Sequence, residues 1–183
     1  VDILSKISYE NLNNLNIRKG SMNLVDEESS DKILKYVQDP SIISGGSAAN
    51  TAVGFKSFGG KCSFIGQIGN DKFGDLFLKD LNNSGVSFQD KDYLPPEKTS
   101  KCIVLVTPDA ERSMITYLGA SNKFNINSID ERFIIDSNMI YIEGYLFDQP
   151  EAKEAIFYCC NLAKTDNKKI ALSLSDLFCV DTV

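Results

Sequence analysis

Apolar positions along the chain alternate between short continuous runs and stretches at helical spacing. Within residues 46–58, Ala49, Ala52, Val53 and Phe58 recur at helical intervals, and Gly59-Gly60 supplies the left-handed residue that commonly ends a helix. "KCSFIGQIG" follows as a short apolar strand. Asn70 or Asp71 can then cap a helix whose Phe73, Leu76, Phe77 and Leu81 share one face, before Gly85 stops it. Further on, "NMIYIEGYLF" reads as a nearly continuous apolar strand, Pro150 suits a first helical turn, residues 151–164 are helical, and "KIALSLS" is another buried strand. Such alternation predicts an α/β fold: a mostly parallel sheet with helices on both faces.

Two stretches break the pattern. "TSKCIVLVTPDAERSMITYLG" places two β-rich runs on either side of Pro108-Asp109-Ala110-Glu111, which has the chemistry of a hairpin turn. "LNIRKGSMNLV" is a second strand-like segment, interrupted by Gly20. Neither fits a parallel core, so both are assigned to a small antiparallel sheet outside it, a β lid formed by segments of about 15–25 and 99–118.

Composition narrows the function. The chain has 183 residues, of which 43% are hydrophobic and 24% charged, enough for an ordinary globular core. A net charge of −6 and the lack of a basic patch argue against nucleic acid or an anionic membrane as partner, because phosphate binding is driven by clustered Lys and Arg. The five cysteines are odd in number and include no CxxC pair, and His is absent. Neither a zinc site nor a disulfide framework is suggested, and reduced, cytoplasmic thiols are the simplest reading. No apolar run approaches the length of a membrane span. The chain opens without Met on Val1-Asp2-Ile3-Leu4, which reads as the close of a buried strand, and stops at Asp181-Thr182-Val183; it is expected to be part of a longer protein.

The densest small-residue stretch is "ISGGSAANTAVGFKSFGG". It fails as a phosphate loop, because an extra glycine precedes Lys61 and a cysteine follows it where the magnesium-binding hydroxyl belongs. It also lacks the spacing of a dinucleotide fingerprint. What remains is a glycine pair at a helix N-terminus, where unpartnered backbone N–H groups can receive a polar ligand, neutral or anionic.

These residues carry a resemblance. Gly45-Gly46-Ser47-Ala48-Ala49-Asn50, followed by Gly60, Gly66, Gly69, Asp71 and Gly74, resemble the first signature of the ribokinase-like (PfkB) carbohydrate kinases. "KGSMNLVD", "VTPDAERSMITYLGAS" and "IYIEGYLFD" look most like the adenosine-kinase-type branch. The resemblance implies a ribokinase-like fold and transfer of the ATP γ-phosphoryl group to a primary hydroxyl of a sugar or nucleoside. It implies further that Gly45 and Gly46 let the sugar lie against the backbone, that Asn50 bonds a ring hydroxyl, and that Asp2, ending the first strand, takes two neighbouring hydroxyls. Glu143 joins this substrate-binding set from a strand's C-terminal end, where open α/β sheets place ligands, a structural ion pair being the other reading. Asn50 can instead be a polar residue of a first turn, and Asp2 a solvent-facing strand residue. Asp71 reads as a helix cap, Met22 and Cys102 either line the sugar or base pocket from the lid or belong to the lid's own core, and Arg112, just after the hairpin turn, reads as a solvated strand residue.

The second signature of such kinases, D-T-x-G-A-G-D, carries the catalytic base and anion hole, and this chain does not contain it. Asp181-Thr182-Val183 spells only its first three letters, directly after an apolar strand, and is assigned no role. No catalytic and no metal-binding residue is therefore assigned, and ATP and Mg²⁺, with K⁺ in part of the family, are expected to be held mainly by an absent C-terminal part. The alternative is a non-catalytic sugar- or nucleoside-binding protein built on the same half-fold. The chain is expected to be a monomer or a homodimer paired through its lids.

Overall fold

The computed structural model describes residues 1–88, 95–175 and 179–180. In chain order the elements are β1 (Asp2–Lys6), α1 (Tyr9–Asn14), β2 (Met22–Leu24), α2 (Glu27–Leu34), β3 (Ser41–Ile43), α3 (Ser47–Ser57), β4 (Ser63–Phe64), α4 (Lys72–Asn83), β5 (Ser87–Phe88), β6 (Lys101–Val106), β7 (Arg112–Tyr117), α5 (Glu131–Ile135), β8 (Met139–Glu143), α6 (Pro150–Thr165) and β9 (Lys169–Ser173). The class is α/β, as predicted.

The largest sheet has five strands in the order β2-β7-β6-β1-β3. Its centre is the predicted hairpin: β6 and β7 pair antiparallel from Lys101 opposite Tyr117 to Val106 opposite Arg112. Ala110 takes the left-handed conformation in the turn, at φ 63°, and the Thr107 hydroxyl bonds Asp109 at 2.6 Å. The segment around Gly20 docks on this hairpin. The Gly20 N–H donates to the Ser113 hydroxyl at 3.0 Å, Lys19 pairs with Asp109 and Glu111, and β2 lies parallel to β7. The two segments thus share one sheet, but that sheet is mixed rather than antiparallel, because β1 enters parallel to β6 and β2 parallel to β7.

Nor does this sheet stand outside the core. Ile3, Ile103, Leu105 and Ile115 from its strands are 2% exposed or less and form one cluster with Ala49 of α3 and Phe73, Phe77 and Leu81 of α4. Burying such side chains is worth about 1.5–3 kcal/mol each, so sheet and helices stabilise one another. An aromatic triad extends the cluster: Phe77 meets Phe64 edge-on at 5.7 Å and Phe88 at 6.3 Å.

The helix boundaries follow local chemistry. Gly59, at φ 86°, ends the turn after α3. Asp71 caps α4, accepting from the N–H groups of Phe73 at 3.0 Å and Gly74 at 2.9 Å. Its second oxygen accepts from Thr99 N at 2.9 Å, which ties α4 to the root of the hairpin. Gly69 and Gly74 are glycines for a packing reason: a Cβ on either would strike the backbone, at Glu97 and Thr99 for the first and at Gly69 for the second.

The remaining strands form two parallel pairs, β4 with β5 and β8 with β9. Buried Ala152, Ala155 and Ala163 of α6 cluster with Phe124, Ile129 and Ile134. Three strand predictions change. The strand in "KCSFIGQIG" is confined to Ser63 and Phe64. "NMIYIEGYLF" stops being a strand at Glu143, where the chain turns into a 3-10 helix over Gly144–Asp148. The strand in "KIALSLS" is not buried: Ile170 is 37% and Leu172 50% exposed. The end of the predicted strand "IALSLSDLF", at residues 176–178, lies outside the described residues, as does Asp181-Thr182-Val183. Among the described residues no helix is long and apolar enough to cross a membrane.

Candidate functional site

The N-terminus of α3 is built without a side-chain cap. Gly46 occupies the cap position at φ 105°, a conformation that side chains disfavour, and its carbonyl accepts the first helical bond from Asn50 N at 2.9 Å. Gly46 thus offers no side chain to the first-turn N–H groups at the positive end of the helix.

Gly45 is buried, and a Cβ on it would overlap the carboxylate of Asp2. Glycine at 45 thus allows Asp2 to stand against the α3 entrance. Asp2 arrives there differently from the prediction. It opens β1 rather than ending a strand, because pairing continues to Lys6, and it reaches Gly45 sideways through the antiparallel β3, where Asp2 lies opposite Ile43. On its other side Asp2 lies opposite Cys102 of β6. The Cys102 thiol is half-buried, and burial pushes its pKa up.

Glu143 ends β8 and is 5% exposed. Its carboxylate accepts hydroxyl donors: Ser47 at 2.9 Å and Tyr141 at 3.0 Å on one oxygen, Ser175 at 2.7 Å on the other. Among the described residues its partners are hydroxyls rather than the cation of the ion-pair alternative. Asp2, Gly45, Gly46 and Glu143 thereby gather around the first turn of α3. Asn50 follows at the end of that turn, exposed, lining an open cleft of about 340 Å³ with Ser44, Gly45 and Asp80. Inside the cleft the Ser44 hydroxyl donates to Asp80 at 2.6 Å.

Other singled-out residues resolve differently. Asp71 is the α4 cap; burial works to raise its pKa, but donors from Gly74, Thr99 and Phe73 outweigh that and hold the carboxyl below its ordinary value. Met22 is 52% exposed on the outermost strand, and Arg112 is exposed where β7 begins. Sequence reasoning missed Ser47, Tyr141 and Ser175, whose shared partner is visible only when α3, β8 and the segment after β9 meet. It also missed Lys101, 3% exposed, whose ammonium pairs with Asp31 and lies 5.6 Å from the ring centroid of Tyr117. Among the described residues, no three Cys, Asp or Glu side chains converge as a metal would require.

Comparison with known proteins bears on the fold and the family. A probable sugar kinase from Rhizobium etli is similar in structure over 98% of this chain, with a TM-score of 0.86 and 38% identity, and an adenosine kinase from Sinorhizobium meliloti over the same share, with 0.85 and 35%. The 5-dehydro-2-deoxygluconokinase of Clostridium beijerinckii is 30% identical over 126 residues, 67% of this chain. The chain spans 55% of each of those two solved chains and 37% of the curated relative. The fold is accordingly ribokinase-like. The model of the pfkB family carbohydrate kinases matches residues 19–179, a range that includes the glycine pair, the α3 entrance, the hairpin and Glu143, and the chain belongs to that family.

Proposed function

We propose that this chain is the acceptor-binding part of an ATP-dependent kinase that phosphorylates a primary hydroxyl of a sugar or nucleoside, with an adenosine-like nucleoside the first choice. The observation that carries the proposal is the contact between the Asp2 carboxylate and Gly45 at the uncapped start of α3. A carboxylate accepts only, through two oxygens, and suits a pair of neighbouring hydroxyls. The glycine pair lets a sugar ring approach the backbone, and Asn50 supplies both a donor and an acceptor one turn further on. Asp2, Gly45, Gly46 and Asn50 meet the acceptor in this reading, and Glu143 belongs to the same site through its bond from Ser47. Selectivity follows, because an analogue lacking a bonded hydroxyl leaves a polar group of the protein unpaired.

No catalytic base is assigned to this chain. Among its described residues no three Cys, Asp or Glu side chains gather at one point. We assign ATP, Mg²⁺ and any K⁺ mainly to the part of such kinases that this chain does not span, the chain covering 55% of the solved sugar kinase and 37% of the curated relative. The segments 15–25 and 99–118 act as the lid over the acceptor, and the same reading makes the acceptor a freely diffusing cytoplasmic metabolite. A lid-paired homodimer is compatible with it, since the lid sheet ends in β2, with Met22 and Leu24 exposed.

The test is Asn50→Ala in the complete protein. The KM for the acceptor rises about tenfold or more, as expected for loss of a hydrogen bond in a polar site, while the KM for ATP is unchanged. An equal rise in both counts against the assignment.

A further inference from the structure

We propose that Glu143 is a positioning residue, a buried carboxylate that holds the first turn of α3 against the ends of β8 and β9 and so sets the geometry of the acceptor site. The kinetic part of this inference rests on the acceptor-site reading above; the structural part does not.

Three hydroxyls from three parts of the chain converge on this one carboxylate: Ser47 from α3, Tyr141 from β8, and Ser175 from the segment after β9. A carboxylate only accepts, so each hydroxyl commits its proton to it. For Ser175 the geometry agrees, because its oxygen accepts from Gly144 N at 2.8 Å and its proton is left for Glu143. Ser175 itself sits in the left-handed region at φ 63°, a conformation that a non-glycine residue keeps only when its surroundings impose it. Those surroundings are the Glu143 carboxylate, the Gly144 N–H and the Ser173 hydroxyl, which accepts from Ser175 N at 3.1 Å. Gly144 completes the fit, since a Cβ there would lie 2.9 Å from the carbonyl oxygen of Leu174 and 3.0 Å from that of Ser173.

Ser47 is the residue through which this anchor reaches the site. It is the first residue of α3, adjacent to Gly46 and three before Asn50, so it shares a helix face with Asn50. Gly46 provides no side-chain cap and is a permissive joint, and on its own would leave the helix start weakly fixed. The Ser47 bond to a rigidly held, buried acceptor supplies that fixation from outside the helix. Glu143 therefore affects acceptor binding through Ser47, with no need to touch the acceptor. A binding site loses much of its effect when its groups move by about half an ångström, and that is the error this anchor prevents.

The experiment uses the complete protein with Ser47→Ala, Ser47→Thr, Glu143→Ala and the double variant Ser47→Ala/Glu143→Ala. Hydrogen exchange is followed by mass spectrometry over the start of α3, alongside steady-state kinetics with adenosine and ribose. Ser47→Ala is expected to speed exchange of the amides of Asn50 to Val53 about fivefold, with the β6–β7 hairpin unchanged. Ser47→Ala and Glu143→Ala each raise acceptor KM about tenfold without raising ATP KM, and Ser47→Thr restores wild-type behaviour. The double variant is no worse than Glu143→Ala alone, because Glu143→Ala already removes the acceptor to which Ser47 donates. Unchanged exchange in Ser47→Ala overturns the proposal. So do additive effects in the double variant, which would mean that Glu143 touches the acceptor itself. A wild-type protein that phosphorylates neither acceptor refutes the kinase reading instead, and the exchange result then decides the anchor by itself.

Discussion

Gly45→Ala puts the proposed site under a calculable stress. The added Cβ would occupy the space of the Asp2 carboxylate, overlapping both its oxygens and its carbon. Those atoms are the tip of a short, partly exposed side chain, so rotation of Asp2 away from α3 relieves the clash more cheaply than any backbone movement. The stability cost then falls at the low end of overpacking, about 1 kcal/mol, or roughly 2–4 °C in Tm. The functional cost is larger. A rotated Asp2 no longer meets the acceptor's hydroxyls, and a hydrogen bond to a charged group is worth about 1.5–3 kcal/mol, which is roughly 10- to 150-fold in acceptor KM. The assay is steady-state kinetics on the complete protein, varying acceptor and ATP separately, with Tm from thermal unfolding. Asp2→Ala/Gly45→Ala separates the two effects: emptying the Asp2 position makes room for the new methyl and restores Tm, while acceptor affinity stays low. A Gly45→Ala protein with unaltered acceptor KM refutes the reasoning, as does a double variant that regains it.

Two further outcomes test the scaffold. Phe77→Ala removes the ring at the centre of the Phe64–Phe77–Phe88 contacts and should cost about 3–5 kcal/mol by urea unfolding, a loss below about 1 kcal/mol showing that the triad does not support the core. Asp71 has a folded pKa below its ordinary 3.8, so its contribution is complete above 3.8 and is lost as pH falls through the lower folded value. Tm measured as pH falls below 3.8 should therefore drop more steeply for the wild type than for Asp71→Asn, and parallel curves contradict the cap's role.

The helices α3, α4 and α6 were legible in the sequence because each carries its own punctuation: Gly59 after the first, Asp71 and Gly85 around the second, Pro150 at the start of the third. The hairpin was legible for the same reason. Strand partners were not. Whether Lys101–Val106 pairs with a parallel or an antiparallel neighbour depends on β1, a hundred residues away, and no local pattern encodes that choice. The candidate site shows the same division. Gly45, Gly46 and Asn50 lie within one short stretch and carry a recognisable motif, whereas the Glu143 anchor joins residues 47, 141, 143 and 175 and exists only once the chain has folded. The "KIALSLS" strand marks another limit, since apolar character alone does not say whether a strand's faces are covered within the same chain.

The central claim is tested most directly by giving the complete protein ATP, Mg²⁺ and either adenosine or ribose, then following ADP release and locating the new phosphate by NMR. The account predicts ADP release that requires the acceptor, with the phosphate on the acceptor's primary hydroxyl. An acceptor that binds at the α3 entrance yet is never phosphorylated contradicts it and leaves a sugar- or nucleoside-binding protein in its place.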